Sequence, residues 1–338
     1  MGIDEPAAPE VWCVGETMVV LVPAEAGPAH RVRTWTTTVG GAESNVACHL
    51  AGLGVRSGWL SAVGDDAFGR AVVDAVRAAG VDVGGVRVDP LRPTGLYVKE
   101  SDAAGSPVRY YRRGSAAAAL GPAVLDGVDL AGVRLVHVTG ITAALSEGCL
   151  RLLCRLLGPR RHLVSFDLNW RPALWRDEYA VARGLDPAEV LRELADAADI
   201  VLVGADEAEL VWGTAAPDAL RALLPHPATL VIKRGAEGAT LVEGGTTVFQ
   251  PALRVDVVEP VGAGDAFAAG FLAAALAGHD PRRRLRAGHL QAAATLLTHH
   301  DVGQPLPAAA VTRLLGCDEA TWAATRITAH GVREGVAP

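Results

Sequence analysis

Glu259-Pro-Val-Gly-Ala-Gly-Asp-Ala-Phe267 runs directly into an alanine-rich segment that stops at Gly278. Gly262 and Gly264 let the backbone turn tightly, and the Ala-rich stretch that follows places this turn at a helix start. Several N–H groups are then exposed at the positive end of a helix dipole, an arrangement suited to phosphate oxygens. Asp265 sits beside these donors. A carboxylate there can accept the proton of an attacking hydroxyl while the N–H groups across Gly262, Ala263 and Gly264 stabilise a moving phosphoryl group. A tight strand-to-helix turn with an aspartate cap would read the same way on its own. A dinucleotide fingerprint is the obvious competitor, but it needs glycine at position 267, where Phe267 stands, and it belongs in the first βα unit of a chain.

Composition narrows the choice. The chain has 338 residues, 50% hydrophobic and 20% charged, enough for one large α/β domain or two smaller ones. Its 31 basic residues include lysine only at Lys99 and Lys233, and neither follows a glycine, which excludes a Walker A loop. A net charge of −7 argues against a nucleic-acid partner. The run Arg282, Arg283, Arg284, Arg286 reads as a solvated face. No secretory signal and no apolar run of membrane-spanning length are visible, so a cytoplasmic protein with no membrane partner is expected. Cys13, Cys48, Cys149, Cys154 and Cys317 are scattered and read as buried thiols.

Apolar β-type runs alternate with helical patterns along the chain, the sequence form of a mostly parallel sheet covered on both faces. The runs are 11–14, 58–63, 134–139, 162–167, 199–203 and 230–233, dense in Val, Leu and Ile as in strands buried on both sides. Asp65 or Asp66 can cap a helix with Phe68, Val72, Val76 and Ala79 inward. Ser146 can cap another with Leu150, Leu153, Cys154 and Leu157 inward. Residues 19–39 and 94–113 break the rhythm and read as a small β flap over the strand ends. The tail beyond about Leu315 is polar and is expected to be partly mobile.

A second glycine turn, Val39-Gly-Gly-Ala-Glu-Ser-Asn-Val-Ala47, also leads into a helix. Gly40 and Gly41 allow a ligand close to the main chain, and Asn45 offers an amide from the helix start. Gly-Gly-x-x-x-Asn near the N-terminus followed by Gly-Ala-Gly-Asp near the C-terminus resembles the ribokinase-like (PfkB) carbohydrate kinases, over roughly residues 11–310. The resemblance implies an α/β three-layer sandwich with a mostly parallel central sheet and a small β-sheet lid. It sets one kinase domain at 11–315, with the lid from 19–39 and 94–113, and a tail at 316–338. It implies ATP as co-substrate, Mg²⁺, and Asp265 as catalytic base. By the same resemblance Lys233, Gly235 and Gly238 lie on the nucleotide side, and Asp167 and Asn169 belong on the phosphate or magnesium-water side. Glu207 matches the glutamate of the family's Asn-x-x-Glu motif and would hold Mg²⁺ through water, although Gly204 replaces the Asn. Glu259 stands where the family has an aspartate that helps form a monovalent-cation site.

Thr94–Val98, Arg109–Ala116 and Phe166–Trp175 together look like the 2-keto-3-deoxygluconate kinases of this family. The chemistry of the residues suits an acidic sugar. Arg112 and Arg171 can supply forked donors to a carboxylate, and Tyr97 and Tyr110 can pack on the carbon chain. Gly40, Gly41 and Asn45 would meet its hydroxyls. A kinase of a neutral sugar, of fructokinase or ribokinase type, and a non-catalytic sugar-binding regulator remain as alternatives. The exposed edges of a β flap suggest a homo-oligomer formed through the lid.

Overall fold

The computed structural model describes residues 8–25, 27–99, 108–176 and 183–333. Part of the expected lid (100–107) and the last five positions of the expected tail lie outside the described residues. In chain order the strands are β1 (Val11–Val14), β2 (Met18–Pro23), β3 (Trp35–Gly40), β4 (Ser57–Gly64), β5 (Val86–Asp89), β6 (Leu96–Lys99), β7 (Val108–Tyr111) and β8 (Leu135–Thr139). There follow β9 (Leu163–Asp167), β10 (Ile200–Gly204), β11 (Thr229–Lys233), β12 (Gly238–Glu243), β13 (Thr246–Pro251), β14 (Arg254–Val255), β15 (Arg326–Thr328) and β16 (Gly331–Arg333).

The main sheet has nine strands in the order β13-β12-β11-β10-β9-β8-β1-β4-β5, parallel except for the β11–β12 and β12–β13 hairpins. From β1 the chain builds outward through β4 and β5 on one side and through β8 to β11 on the other. A crevice therefore opens between β1 and β8 at their carboxyl ends, where such sheets bind ligands. The strands are continuously apolar because both faces are covered. Val11 and Cys13 belong to the core on the side of the helices Ala42–Gly52, Ala263–Leu276 and Pro281–Leu296, and Trp12 and Val14 to the core on the side of helices Glu147–Leu157 and Pro187–Asp196. The lid is a separate four-stranded sheet, β3-β2-β6-β7, drawn from the two segments that broke the α/β rhythm. No helix of the described residues is long and apolar enough to cross a membrane.

Several expectations are corrected. In the helix Ala67–Ala78, capped by Asp66, Val72 and Val76 are buried but Phe68 is 37% exposed and Ala79 faces solvent. In Glu147–Leu157 the inward face is Cys149, Leu152, Leu153 and Leu156 with Leu157. The periodicity is as expected but turned by about one residue, so Cys154 is exposed. The arginine run is not all solvated. Arg286 is 2% exposed; its guanidinium lies 4.8 Å over the Trp322 ring and donates to the Cys317 carbonyl at 2.6 Å.

The tail is structured as far as it is described. Helices Ala308–Gly316 and Glu319–Ala324 lead into β15, which pairs in parallel with β14, and into β16. Trp322 is buried with Leu253, Leu290, Leu314 and Ile327 and donates its indole N–H to the Pro251 carbonyl at 2.8 Å. One tryptophan and the cation above it anchor a segment whose composition is polar.

Candidate active site

A cleft of about 700 Å³ opens between the lid and the carboxyl ends of the parallel strands. Its floor is the start of the helix Ala263–Leu276. Gly262 caps this helix with φ of +82°, and a Cβ there would fall 2.5 Å from the Asp301 carbonyl oxygen, so the turn accepts no side chain. No side chain caps the helix start, which leaves the N–H groups of Gly264 and Asp265 as donors at the cleft, while the Ala263 N–H donates to the Pro260 carbonyl at 3.4 Å. The helix begins at Ala263, which puts Asp265 in its first turn.

Asn45, in the helix Ala42–Gly52, donates from Nδ2 to Asp265 Oδ2 at 2.8 Å. Burial pushes the Asp265 carboxyl up to about 7. The Asn45 amide pulls it down, Asp167 raises it, and Lys233 and Arg171 lower it. A carboxyl with such a pKa is matched to taking up a proton near neutrality.

The structure brings the two glycine turns of the sequence together at this point. Gly40 ends β3, and a Cβ on it would lie 2.5 Å from the Tyr97 hydroxyl and 2.7 Å from Asp301 Oδ2. Gly40, Gly41, Asn45, Tyr97, Tyr110, Arg112, Asn169, Arg171, Glu207, Lys233, Gly262, Gly264 and Asp265 all line the cleft. Gly235 and Gly238 do not; they lie in the β11–β12 hairpin. Asn169 holds a φ of +42°, an unusual backbone conformation for a residue with a side chain, directly after the end of β9.

The two arginines are already paired. Arg112 is buried, donates from Nε to Glu16 Oε2 at 2.7 Å, and lies 4.9 Å over the Tyr110 ring. Glu16 is 2% exposed and also accepts from the Ser115 hydroxyl. Arg171 is more open, 3.7 Å from Glu207 and bonded to the Trp170 carbonyl. Opposite the lid, Lys233 Nζ donates to Asp167 Oδ2 at 2.6 Å, while Asp167 Oδ1 is buried without a partner among the described residues. Burial opposes the charge on Lys233, but the Asp167 and Glu207 carboxylates outweigh it and hold the ammonium above its usual range.

Glu207 accepts the backbone N–H groups of Trp170 at 2.9 Å and Gly204 at 3.1 Å. Glycine at 204 cannot return a side-chain bond, so Glu207 makes half of a capping box. No group of three or more acidic, His or Cys side chains among the described residues could cage a metal. The orphan Asp167 Oδ1 and the Glu207 carboxylate are instead hard oxygen donors of the kind that hold magnesium brought in on phosphates. Glu259, which stands in place of the family's cation-site aspartate, accepts the Val261 N–H at 3.4 Å.

Three acidic residues of the cleft stand outside the expected site set: Glu16, Glu43 and Asp301. Glu43 is 1% exposed and accepts the hydroxyls of Thr139 and Thr142 at 2.7 and 2.6 Å, tying the Ala42–Gly52 helix to the end of β8. Their only sequence signal is position: Glu16 lies between the first two strands, Glu43 in the first turn of the helix after Gly41, and Asp301 five residues beyond the helix Pro281–Leu296.

A lidded α/β cleft with uncapped helix-start N–H groups beside a partly buried carboxylate suits a phosphotransferase acting on an alcohol group. Residues 8–309 match the model of the pfkB family carbohydrate kinases, and the chain belongs to that family. It is 38% identical over 288 residues to the 2-dehydro-3-deoxygluconokinase of Thermoproteus tenax, covering 83% of this chain and 87% of that one. It is 37% identical over 283 residues to the enzyme of the same name from Bacillus subtilis, covering 81% and 86%. A PfkB protein from Polaromonas sp. JS666 superposes with a TM-score of 0.76 at 32% identity, over 86% of this chain and 96% of that one.

Proposed function

We propose that this carbohydrate kinase transfers the γ-phosphoryl group of ATP to the C6 hydroxyl of 2-keto-3-deoxygluconate. The observation that carries the reading is Asp265, held by Asn45 beside the donors of a helix start with its pKa near 7. Asp265 takes the proton of the terminal hydroxyl as its oxygen forms the new bond to phosphorus, and the bond to the ADP oxygen breaks. The N–H groups from Gly262 to Asp265 stabilise the charge on the moving group. Lys233 supplies positive charge on the nucleotide side, where Asp167 and Asn169 also stand; Gly235 and Gly238 shape the hairpin behind it.

Magnesium bound with the nucleotide would neutralise phosphate charge, with Asp167 and Glu207 as its protein oxygens, Glu207 through water. Gly40, Gly41 and Asn45 meet the sugar hydroxyls, Tyr97 and Tyr110 pack on its carbon chain, and Arg112 and Arg171 address the carboxylate. The two relatives named above support the sugar-acid assignment. The lid's edge strand β7 exposes Val108 and Tyr111, which supports a homo-oligomer formed through the lid.

One observation favours a neutral sugar instead: Glu16 already neutralises Arg112. Purified protein assayed with 2-keto-3-deoxygluconate, fructose and ribose separates the two. The proposal expects kcat/KM for the sugar acid to lead by about 10⁴-fold, the scale on which a site built for a polar group rejects a ligand lacking it. A lead for fructose would overturn it.

A further inference from the structure

Lysine is kept at only two positions in this chain, and both side chains make ion pairs with buried aspartates. Lys233 and its partner Asp167 belong to the body. Lys99 ends the lid strand β6, and its Nζ lies 3.6 Å from Asp301 Oδ1, with only 13% and 8% of the two side chains exposed. The other oxygen of Asp301 accepts from the Tyr97 hydroxyl at 3.4 Å, so two residues of one lid strand hold both oxygens of one carboxylate.

The main chain of the same aspartate packs against Gly262, where the missing Cβ would lie 2.5 Å from its oxygen and 2.9 Å from its Cα. One residue therefore touches the lid through its side chain and the anion-binding turn through its backbone. We propose that Lys99 is a positioning residue that acts through Asp301 to couple the lid to the Gly262 turn, so that sugar and nucleotide each bind more tightly in the presence of the other.

A surface ion pair would contribute little here, but this one is shielded from solvent. Removing the ammonium leaves Asp301 buried with only the tyrosine hydroxyl opposite, and its side chain no longer has a charge to hold it to the lid. The backbone of Asp301 then keeps its contact with His49 but loses its charged tie to the lid, and the two binding events become independent. The inference rests on the kinase reading above but not on the identity of the sugar.

The test is calorimetric titration with the magnesium complex of the β,γ-imido analogue of ATP, with and without saturating sugar. The sugar is 2-keto-3-deoxygluconate or, if the wild type turns over fructose or ribose instead, that one. In the wild type the sugar should tighten analogue binding about fivefold or more, and the analogue should tighten sugar binding by the same factor, as linkage requires.

Lys99→Met should bring that factor close to one while each ligand alone binds within about twofold of wild type, the behaviour of a lost coupling rather than a lost site. Lys99→Arg, which keeps the charge, should restore part of it, and a purely structural role would not produce that order. If Lys99→Met proves too unstable to titrate, Tyr97→Phe removes the second lid contact to the same carboxylate and should lower the coupling factor. Wild-type coupling retained in Lys99→Met, or in Tyr97→Phe if that variant must stand in, or no coupling in the wild type, would overturn the inference. A wild type that phosphorylates no sugar would instead overturn the kinase reading.

Discussion

Asn45 and Asp265 are 220 positions apart in the chain and 2.8 Å apart in the protein, the amide of one donating to the carboxylate of the other. Each stands near the N-terminal end of a helix that follows a glycine turn. The contact unites the two motifs that, in sequence, had only their order to connect them.

Removing this donor with Asn45→Ala should shift the acid limb of kcat/KM for the sugar upward, since the amide is the strongest influence holding the Asp265 pKa down. Turnover at pH 7 should fall about 10- to 100-fold, the range for a lost hydrogen bond to a charged group. In the wild type itself kcat/KM should rise with pH through an apparent pKa near 7, because the base acts only when deprotonated. A limb near 4 would tell against the burial of Asp265 as its controlling influence.

Asp265→Asn should lower kcat by about 10³-fold or more while leaving binding of the ATP analogue within a few-fold. It should also be more stable than the wild type at pH 8. The folded carboxyl titrates near 7 and the unfolded one near 4, so between these values the folded state holds a proton that the unfolded chain has released. Stability from this group is therefore present at low pH and lost as pH rises toward 7. The asparagine avoids that loss, and its advantage in thermal melting should shrink as the buffer is taken from pH 8 to pH 4.

Gly262→Ala should both weaken the fold and abolish transfer. The substitution forces a side chain into a φ of +82° and against the backbone of Asp301 at 2.5 Å. Strain of about 1–3 kcal/mol is expected from the backbone conformation alone. Urea denaturation measures that part, and the kcat of the folded fraction measures the displaced turn.

Arg112→Lys should raise KM for the sugar acid about tenfold with little change in kcat, because an ammonium cannot hold the Glu16 contact and reach the ligand as a planar fork does. Arg112→Met removes the charge altogether and leaves Glu16 buried without it. That should cost about 3–5 kcal/mol of stability, the range for one partner deleted from a buried pair. Equal KM values for the sugar acid in wild type and Arg112→Lys would remove Arg112 from the carboxylate site.

The parallel strands and the two glycine turns were legible because they depend on local signals: unbroken runs of Val, Leu and Ile, and glycines before an apolar periodic stretch. The rotation of the Glu147–Leu157 helix was not, since a 3.6-residue period fixes the spacing of a face and not which neighbour it meets. Arg286 and Trp322 were misread for a related reason. A charge run looks solvated until a distant ring covers one member of it. Within the site, residues carried by a motif were found, whereas the pairings of Glu16 and Asp301 were not. Each is a single carboxylate whose role depends on the arginine or lysine opposite, and the sequence does not say which residues will face one another.

The pairing of β15 with β14 has a consequence for how the protein is made. Arg254 and Val255 lie just upstream of the Gly262 turn, and their parallel partners are Arg326 and Ile327. A chain leaves the ribosome N-terminus first, and its units fold as they emerge. The stem of the turn that precedes Asp265 therefore waits, unpaired at its strand edge, until the chain has been synthesised past Ile327. Nascent chains halted before residue 326 would carry every residue of the proposed site and still lack the strand that braces it.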